Sequence, residues 1–214
     1  ESGVGKTTIS GQVCKAVTIR GENGSSVKRE LVKEYLAQCM PEDVRGPMAY
    51  DMKTGDYRWV LNPKFRPACE RPCLILLDEF NRAKPATMDT ALEMCRPIDG
   101  VFTLGGFKFH PKTRILVLGN PENGRYAVET LDPAVRRSFC QYDVTFDHEV
   151  WDADFAAVYQ IETTVRSFLR EKPSRAFDVK TLDGVQKGCL IPSQWEAVSD
   201  AVKSCPSESL KDEI

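Results

Sequence analysis

Two stretches carry unbroken runs of large aliphatic side chains, and the rest of the pattern arranges itself around them. Cys73-Leu74-Ile75-Leu76-Leu77-Asp78-Glu79 shows no alternation, which predicts a strand covered on both faces, as in a parallel sheet. Ile115-Leu116-Val117-Leu118-Gly119-Asn120-Pro121 repeats that pattern. Each run ends on polar side chains, at the strand end where open α/β sheets bind ligands.

Helical spacing marks other segments. From Lys6 to about Arg20, Ile9, Val13 and Val17 recur every fourth residue and predict a helix with one apolar stripe. Gly21, Gly24, Ser25 and Ser26 break it. Val27, Leu31, Tyr35 and Cys39 predict a second helix over 27–40, its other faces covered by charges. Pro85 opens a third, with Met88, Ala91, Leu92 and Cys95 inward. Asp132-Pro133 caps and starts a short helix bearing Arg136 and Arg137.

Two hairpins are predicted, one from Ala49–Met52 and Tyr57–Leu61, the other over 99–110 turning at Gly105-Gly106. Cys140 to Phe146 alternates strictly and reads as a half-exposed strand at the sheet edge. After Asp147 the strand signals end. Val158, Ile161, Val165 and Phe168 mark a helix closed by Lys172-Pro173-Ser174. Ser193 and Glu196 are spaced as a capping box for a last helix carrying Trp195, Val198 and Val202. The expectation is an α/β three-layer domain over 1–147, built on a parallel sheet, with a small helical lid over 148–214.

The chemistry starts at Glu1-Ser2-Gly3-Val4-Gly5-Lys6-Thr7, a phosphate-binding loop lacking its leading glycine. Glycines let successive backbone N–H groups converge on a phosphate, and Lys6 can reach the β- and γ-phosphate oxygens. The following helix aims its positive end at the anion. Ser2, Gly3, Val4, Gly5, Lys6, Thr7 and Thr8 are therefore the expected nucleotide-binding residues. Such a loop follows a β-strand, so the chain reads as a fragment that begins inside its nucleotide site. Thr7 and Asp78 are the expected Mg²⁺ holders. Glu79 is placed to polarise an attacking water and Asn120 to orient it, which together make an Mg²⁺-dependent ATP-hydrolysing site.

Composition narrows the alternatives. Lysines and arginines number 29 against 31 acids, a net charge of −2, which gives no support to a nucleic-acid or membrane partner. No apolar run approaches a membrane span. Eight scattered cysteines suggest reduced thiols and a cytoplasmic chain, not a disulfide framework. Cys69-x-x-x-Cys73 would need Cys95 or one of His110 and His148 to hold zinc, so two cysteines in a proline-rich loop is the preferred reading. Phe102, Phe107 and Phe109 either grip a polypeptide in a ring pore or pack on their own domain. Arg82 either pairs locally or contacts a neighbouring subunit. An Asn-Lys-x-Asp guanine reader is absent, which favours ATP.

The set ESGVGKTT, CLILLDEFNRA, LVLGNPENGRY and LDPAVRRSF resembles the MoxR-type branch of the AAA+ ATPases, where these are Walker A, Walker B, sensor 1 and the arginine-finger segment. The resemblance covers about residues 1–146. It implies that the first hairpin is the helix-2 insert and the second the pre-sensor-1 hairpin. It also implies a homo-oligomeric ring, usually a hexamer, in which an arginine reaches the neighbour's nucleotide and contributes about 10³–10⁵ in rate. Members act as chaperone-like remodellers, often beside a partner with a von Willebrand factor A domain. Two positions depart from the pattern. Ser138, not arginine, precedes Phe139, so Arg137 is the favoured finger and Arg136 the alternative. Pro192-Ser193-Gln194 lacks the sensor-2 arginine, leaving Gln194 or Arg175 to replace it, or a slow site. The competing readings are a DNA-directed ring motor and an ATP-binding assembly module that hydrolyses little.

Overall fold

The computed structural model describes residues 5–21, 23–120, 128–145, 147–172, 179–182, 185–189 and 194–204. The chain divides into two units, Thr7–Tyr142 and a second formed by Asp143–Ile214 with Glu1–Lys6.

In chain order, α1 (Lys6–Ala16) leads to a small hairpin of β1 (Thr18–Arg20) and β2 (Ser26–Lys28), then to β3 (Glu30–Tyr35). Helix α2 (Pro41–Arg45) and the hairpin β4 (Met48–Asp51) and β5 (Asp56–Trp59) precede α3 (Arg66–Glu70) and β6 (Cys73–Asp78). Then come α4 (Pro85–Cys95), the hairpin β7 (Thr103–Leu104) and β8 (Phe107–Lys108), β9 (Arg114–Val117) and α5 (Pro133–Arg136).

The sheet is parallel, ordered β3-β6-β9. The aliphatic run of β6 takes the middle, where it has a strand on each side. Cys73, Ile75, Leu76 and Leu77 are all 0 % exposed. Burying each aliphatic side chain contributes roughly 1.5–3 kcal/mol. Phe65, Phe80, Met94, Leu104 and Phe109 complete this core, with Phe102 packed against it. Phe109 and Phe102 therefore serve their own domain, while Phe107 is partly exposed.

Four expectations are corrected. The predicted stripe of α1 faces outward: Ile9, Val13 and Val17 are 46–49 % exposed, while Ser10 and Cys14 are buried. Thr7, Ser10 and Cys14 share one helix face at i, i+3, i+7, and that face, joined to Asp78 through Thr7, is the inward one. The helix also stops at Ala16, and Thr18–Arg20 is strand.

Residues 27–40 form no α-helix. Glu30–Tyr35 is a strand registered on β6 from Glu30↔Cys73 to Tyr35↔Asp78. Its Leu, Lys and Glu residues favour helix by only tenths of a kcal/mol each, and the parallel ladder overrides that preference. Val32 and Glu34 point inward at strand period, and the buried Glu34 pairs with Lys64 at 2.8 Å.

Residues 140–145 form no strand, and residue 146 lies outside the described residues. Alternation marks the faces of a strand but supplies no backbone partner, and Tyr142 is 83 % exposed.

The second unit is not purely helical. α6 (His148–Val150) runs into a π-helical stretch over Trp151–Ala156, followed by α7 (Thr163–Glu171). An antiparallel pair, β10 (Val179–Leu182) and β11 (Val185–Cys189), precedes α8 (Trp195–Lys203). The Asp183-Gly184 pair between those strands in the sequence was the available hairpin signal. Val158 lies before α7 and is 71 % exposed, whereas Trp151, Ile161, Val165, Leu169, Trp195 and Val202 form the core. Pro173, Ser174 and Ser193, and with Ser193 the expected capping box, lie outside the described residues.

The cysteines of the first unit are unpaired thiols. Burial raises Cys95 to about 12 and Cys73 to about 11, which keeps both protonated and unreactive at neutral pH.

Candidate functional site

The site gathers at the carboxyl end of β6. Asp78 is the last residue of that strand and is 8 % exposed. Thr7, in the first turn of α1, donates its Oγ1 hydrogen bond to Asp78 Oδ2 at 2.5 Å. The other carboxylate oxygen, Oδ1, accepts the Glu79 backbone N–H at 2.9 Å. A hydroxyl and a carboxylate from distant parts of the chain thus converge, and an all-oxygen donor pair is what Mg²⁺ takes.

Glu79 sits in the left-handed region at φ 55, a conformation costing on the order of 1–3 kcal/mol for such a residue. The chain leaves the strand there and enters a 3-10 turn over Phe80–Arg82. Arg82 Nη1 donates to Glu79 Oε1 at 2.8 Å, a local pair.

The same turn reaches the neighbouring strand end. Phe80 N–H donates to the Leu118 carbonyl at 2.9 Å. Asn81, only 3 % exposed, grips Asn120 by its backbone: Asn81 Nδ2 donates to the Asn120 carbonyl at 2.7 Å, and Asn120 N–H donates to Asn81 Oδ1 at 3.0 Å. Asn81 was given no role from the sequence. A second asparagine two residues past the acidic pair, in a chain that must bury its backbone polar groups, was the available signal.

Thr7, Asp78, Glu79 and Asn120 are therefore connected through one hydrogen-bonded framework. Gly5 has φ 84, a conformation glycine adopts freely, and Lys6 opens α1. Thr8 follows in the helix and is exposed. Ser2, Gly3 and Val4 lie outside the described residues, as do Pro121, Arg175, Pro192 and Ser193.

The arginine segment is built as its sequence predicts. Asp132 accepts the Ala134 N–H at 2.6 Å and starts α5. Arg136 is held by its Nε donating to the Leu131 carbonyl at 3.2 Å. The exposed Arg137 guanidinium makes no hydrogen bond or ion pair with the described residues. Phe139 meets Phe80 edge-on at 6.1 Å between ring centroids, which ties this segment to the turn after β6. Among the described residues no three His, Cys, Asp or Glu side chains gather as a metal site.

An α/β fold with a parallel sheet, and a threonine at a helix start meeting an acidic strand end, together define a nucleotide-binding domain of P-loop type. The profile of the AAA domain, dynein-related subfamily, matches residues 1–139, and the chain belongs to that family. Forty-nine chains of solved structures match. One is the 2.00 Å crystal structure of a protein from Cytophaga hutchinsonii ATCC 33406, provisionally assigned as an ATPase, at 19 % identity and a TM-score of 0.38. That match covers 85 % of this chain and 48 % of the other, so this chain spans about half the length of that structure. No curated protein matches significantly. Among the described residues no helix is long and apolar enough to cross a membrane.

Proposed function

We propose that this chain carries the nucleotide-hydrolysing core of a MoxR-type AAA+ ATPase, with residues 1–147 as the core and 148–214 as its lid. The observation that carries the reading is the contact of Thr7 with Asp78, which unites two motifs 71 residues apart. ATP is the substrate. Ser2 to Thr8 cradle its phosphates, and Thr7 and Asp78 hold Mg²⁺, which when bound neutralises charge developing on the phosphate oxygens. Glu79 accepts the proton of the attacking water, and Asn120 orients that water. Arg137 reaches the nucleotide of the next subunit in a homo-oligomeric ring, taken as a hexamer. The ring works in the cytoplasm on a protein client, beside a partner with a von Willebrand factor A domain.

The test is ATP turnover by the full-length protein and its Glu79→Gln variant. The proposal expects nucleotide still bound by the variant, with turnover reduced on the order of 10²–10⁴-fold. A second reading, an assembly module that binds ATP but hydrolyses little, is favoured by the Arg82 pair that engages the Glu79 carboxylate. Equal, near-zero rates for both proteins leave only that module.

A further inference from the structure

We propose that Asn81 is a positioning residue of the hydrolytic site, a clamp that holds Asn120 in fixed relation to Glu79. The proposal rests on the ATPase reading of this site. It starts from a mismatch between two strand ends. β6 pairs with β9 only as far as Leu77↔Val117, and Leu118 N–H then donates to the Leu77 carbonyl at 2.8 Å. Beyond that point β6 turns away at Glu79, and Gly119 and Asn120 are not among the residues registered on it.

The Asn81 side chain takes over. A primary amide carries one acceptor oxygen and two donor hydrogens, so it can pair with a peptide unit as another strand would. Its Oδ1 accepts from Asn120 N–H at 3.0 Å, and its Nδ2 donates to the Asn120 carbonyl at 2.7 Å. Its own carbonyl accepts the Glu129 N–H at 2.7 Å, so the clamping residue is itself held by its backbone. Burial to 3 % exposure removes competing water and strengthens all three bonds.

Gly119 completes the fit. A Cβ there would stand 3.0 Å from Asn81 Oδ1 and 3.3 Å from Asn81 Cγ, closer than side chains ordinarily approach. The glycine lets the strand end lie against the amide. The two residues proposed to handle water, Glu79 and Asn120, are thereby joined through one intervening residue, Phe80, and a two-point contact at Asn81. Leucine has similar size but neither donor nor acceptor, and aspartate keeps the acceptor while losing the donor.

Three variants of the full-length protein test this: Asn81→Leu, Asn81→Asp and Gly119→Ala. Two readouts are taken, amide hydrogen exchange at Asn120 and ATPase kinetics beside a nucleotide-binding isotherm. The expected result is fast exchange at Asn120 in Asn81→Leu and kcat reduced on the order of 10²-fold, with nucleotide affinity and melting cooperativity kept. Asn81→Asp and Gly119→Ala should fall between that variant and wild type in both readouts. Unchanged exchange at Asn120 in Asn81→Leu overturns the clamp, and fast exchange with unchanged kcat overturns its role in positioning. A wild-type protein with no turnover overturns the ATPase reading instead, and the exchange data then decide the clamp alone.

Discussion

Thr7 Oγ1 and Asp78 Oδ2 lie 2.5 Å apart, a bond that joins the first turn of α1 to the carboxyl end of β6. Ser10 and Cys14 lie inward on the same face as Thr7, and Ile9, Val13 and Val17 are turned toward solvent. The face of α1 that carries the polar contact is the inward one, and its apolar stripe is the exposed one.

That contact gives the first prediction. Asp78→Asn keeps an acceptor for Thr7 but removes the charge proposed to hold Mg²⁺. Turnover at saturating Mg²⁺ and ATP should fall on the order of 10²–10³-fold. Thr7→Ser, which retains the hydroxyl, should stay near the wild-type rate, whereas Thr7→Val should not. A Thr7→Val enzyme with full activity would remove the threonine from the site.

The two candidate finger arginines differ in how they are held. The Arg136 side chain is tied to the Leu131 carbonyl, while the Arg137 guanidinium makes no hydrogen bond or ion pair with the described residues. In the assembled protein Arg137→Ala should lower turnover by about 10³-fold or more without loss of nucleotide binding. Arg136→Ala should act more mildly, through the loop it supports. Steady-state rates measured above the assembly concentration distinguish the two, and a reversed order would move the finger to Arg136.

Asp152 in the second unit provides a pH signature. The hydrogen bond from Arg166, opposed by burial and aided by Arg170, holds its carboxyl down from 3.8 to about 2. A carboxylate depressed in the folded state stabilises fully above its unfolded value and loses that contribution as pH falls through its folded value. The loss therefore falls between about pH 4 and pH 2 and amounts to roughly 1–2 kcal/mol, since the Arg170 side chain is 59 % exposed and its part is screened by solvent. Urea melts of wild type and Asp152→Asn over this range should converge at the acid end. Parallel curves would show that the arginines do not stabilise the charge.

At the base of the β4–β5 hairpin, Gly46 has φ 97, and a Cβ there would lie 2.0 Å from the Val60 carbonyl oxygen. Both the conformation and the collision are with backbone, which cannot swing aside. Gly46→Ala should destabilise by about 3 kcal/mol or more, seen as a lower urea midpoint at unchanged slope. Gly24→Ala, also at positive φ but with nothing within 4 Å, should cost clearly less.

Most of the first unit was legible because its signals are strong and local. Four aliphatics in a row at Leu74–Leu77 leave little choice but a strand buried on both faces. Pro85 and Asp132-Pro133 start helices whatever lies nearby, since a fixed φ and a side-chain cap act within one turn. Glu30–Tyr35 was misread because its apolar residues satisfy both helical and strand spacing. The tie was broken by β6, a partner 43 residues away from Glu30 to Cys73. The hairpin β10–β11 has the opposite character: its strands are short and their alternation is weak beside the helical patterns that flank them.

By itself the sequence determined which residues are candidates for chemistry: the glycines ahead of Lys6, and an acidic pair and an asparagine each at the end of an aliphatic run. Only the tertiary structure decided how those residues are held, because periodicity reports a preference for burial and says nothing of what lies opposite. The outward turn of α1, the strand at β3 and the grip of Asn81 on Asn120 all depend on contacts between residues far apart in the chain. Each such contact outweighs local preferences of tenths of a kcal/mol per residue, so it could be found only where the folded chain brings its partners together.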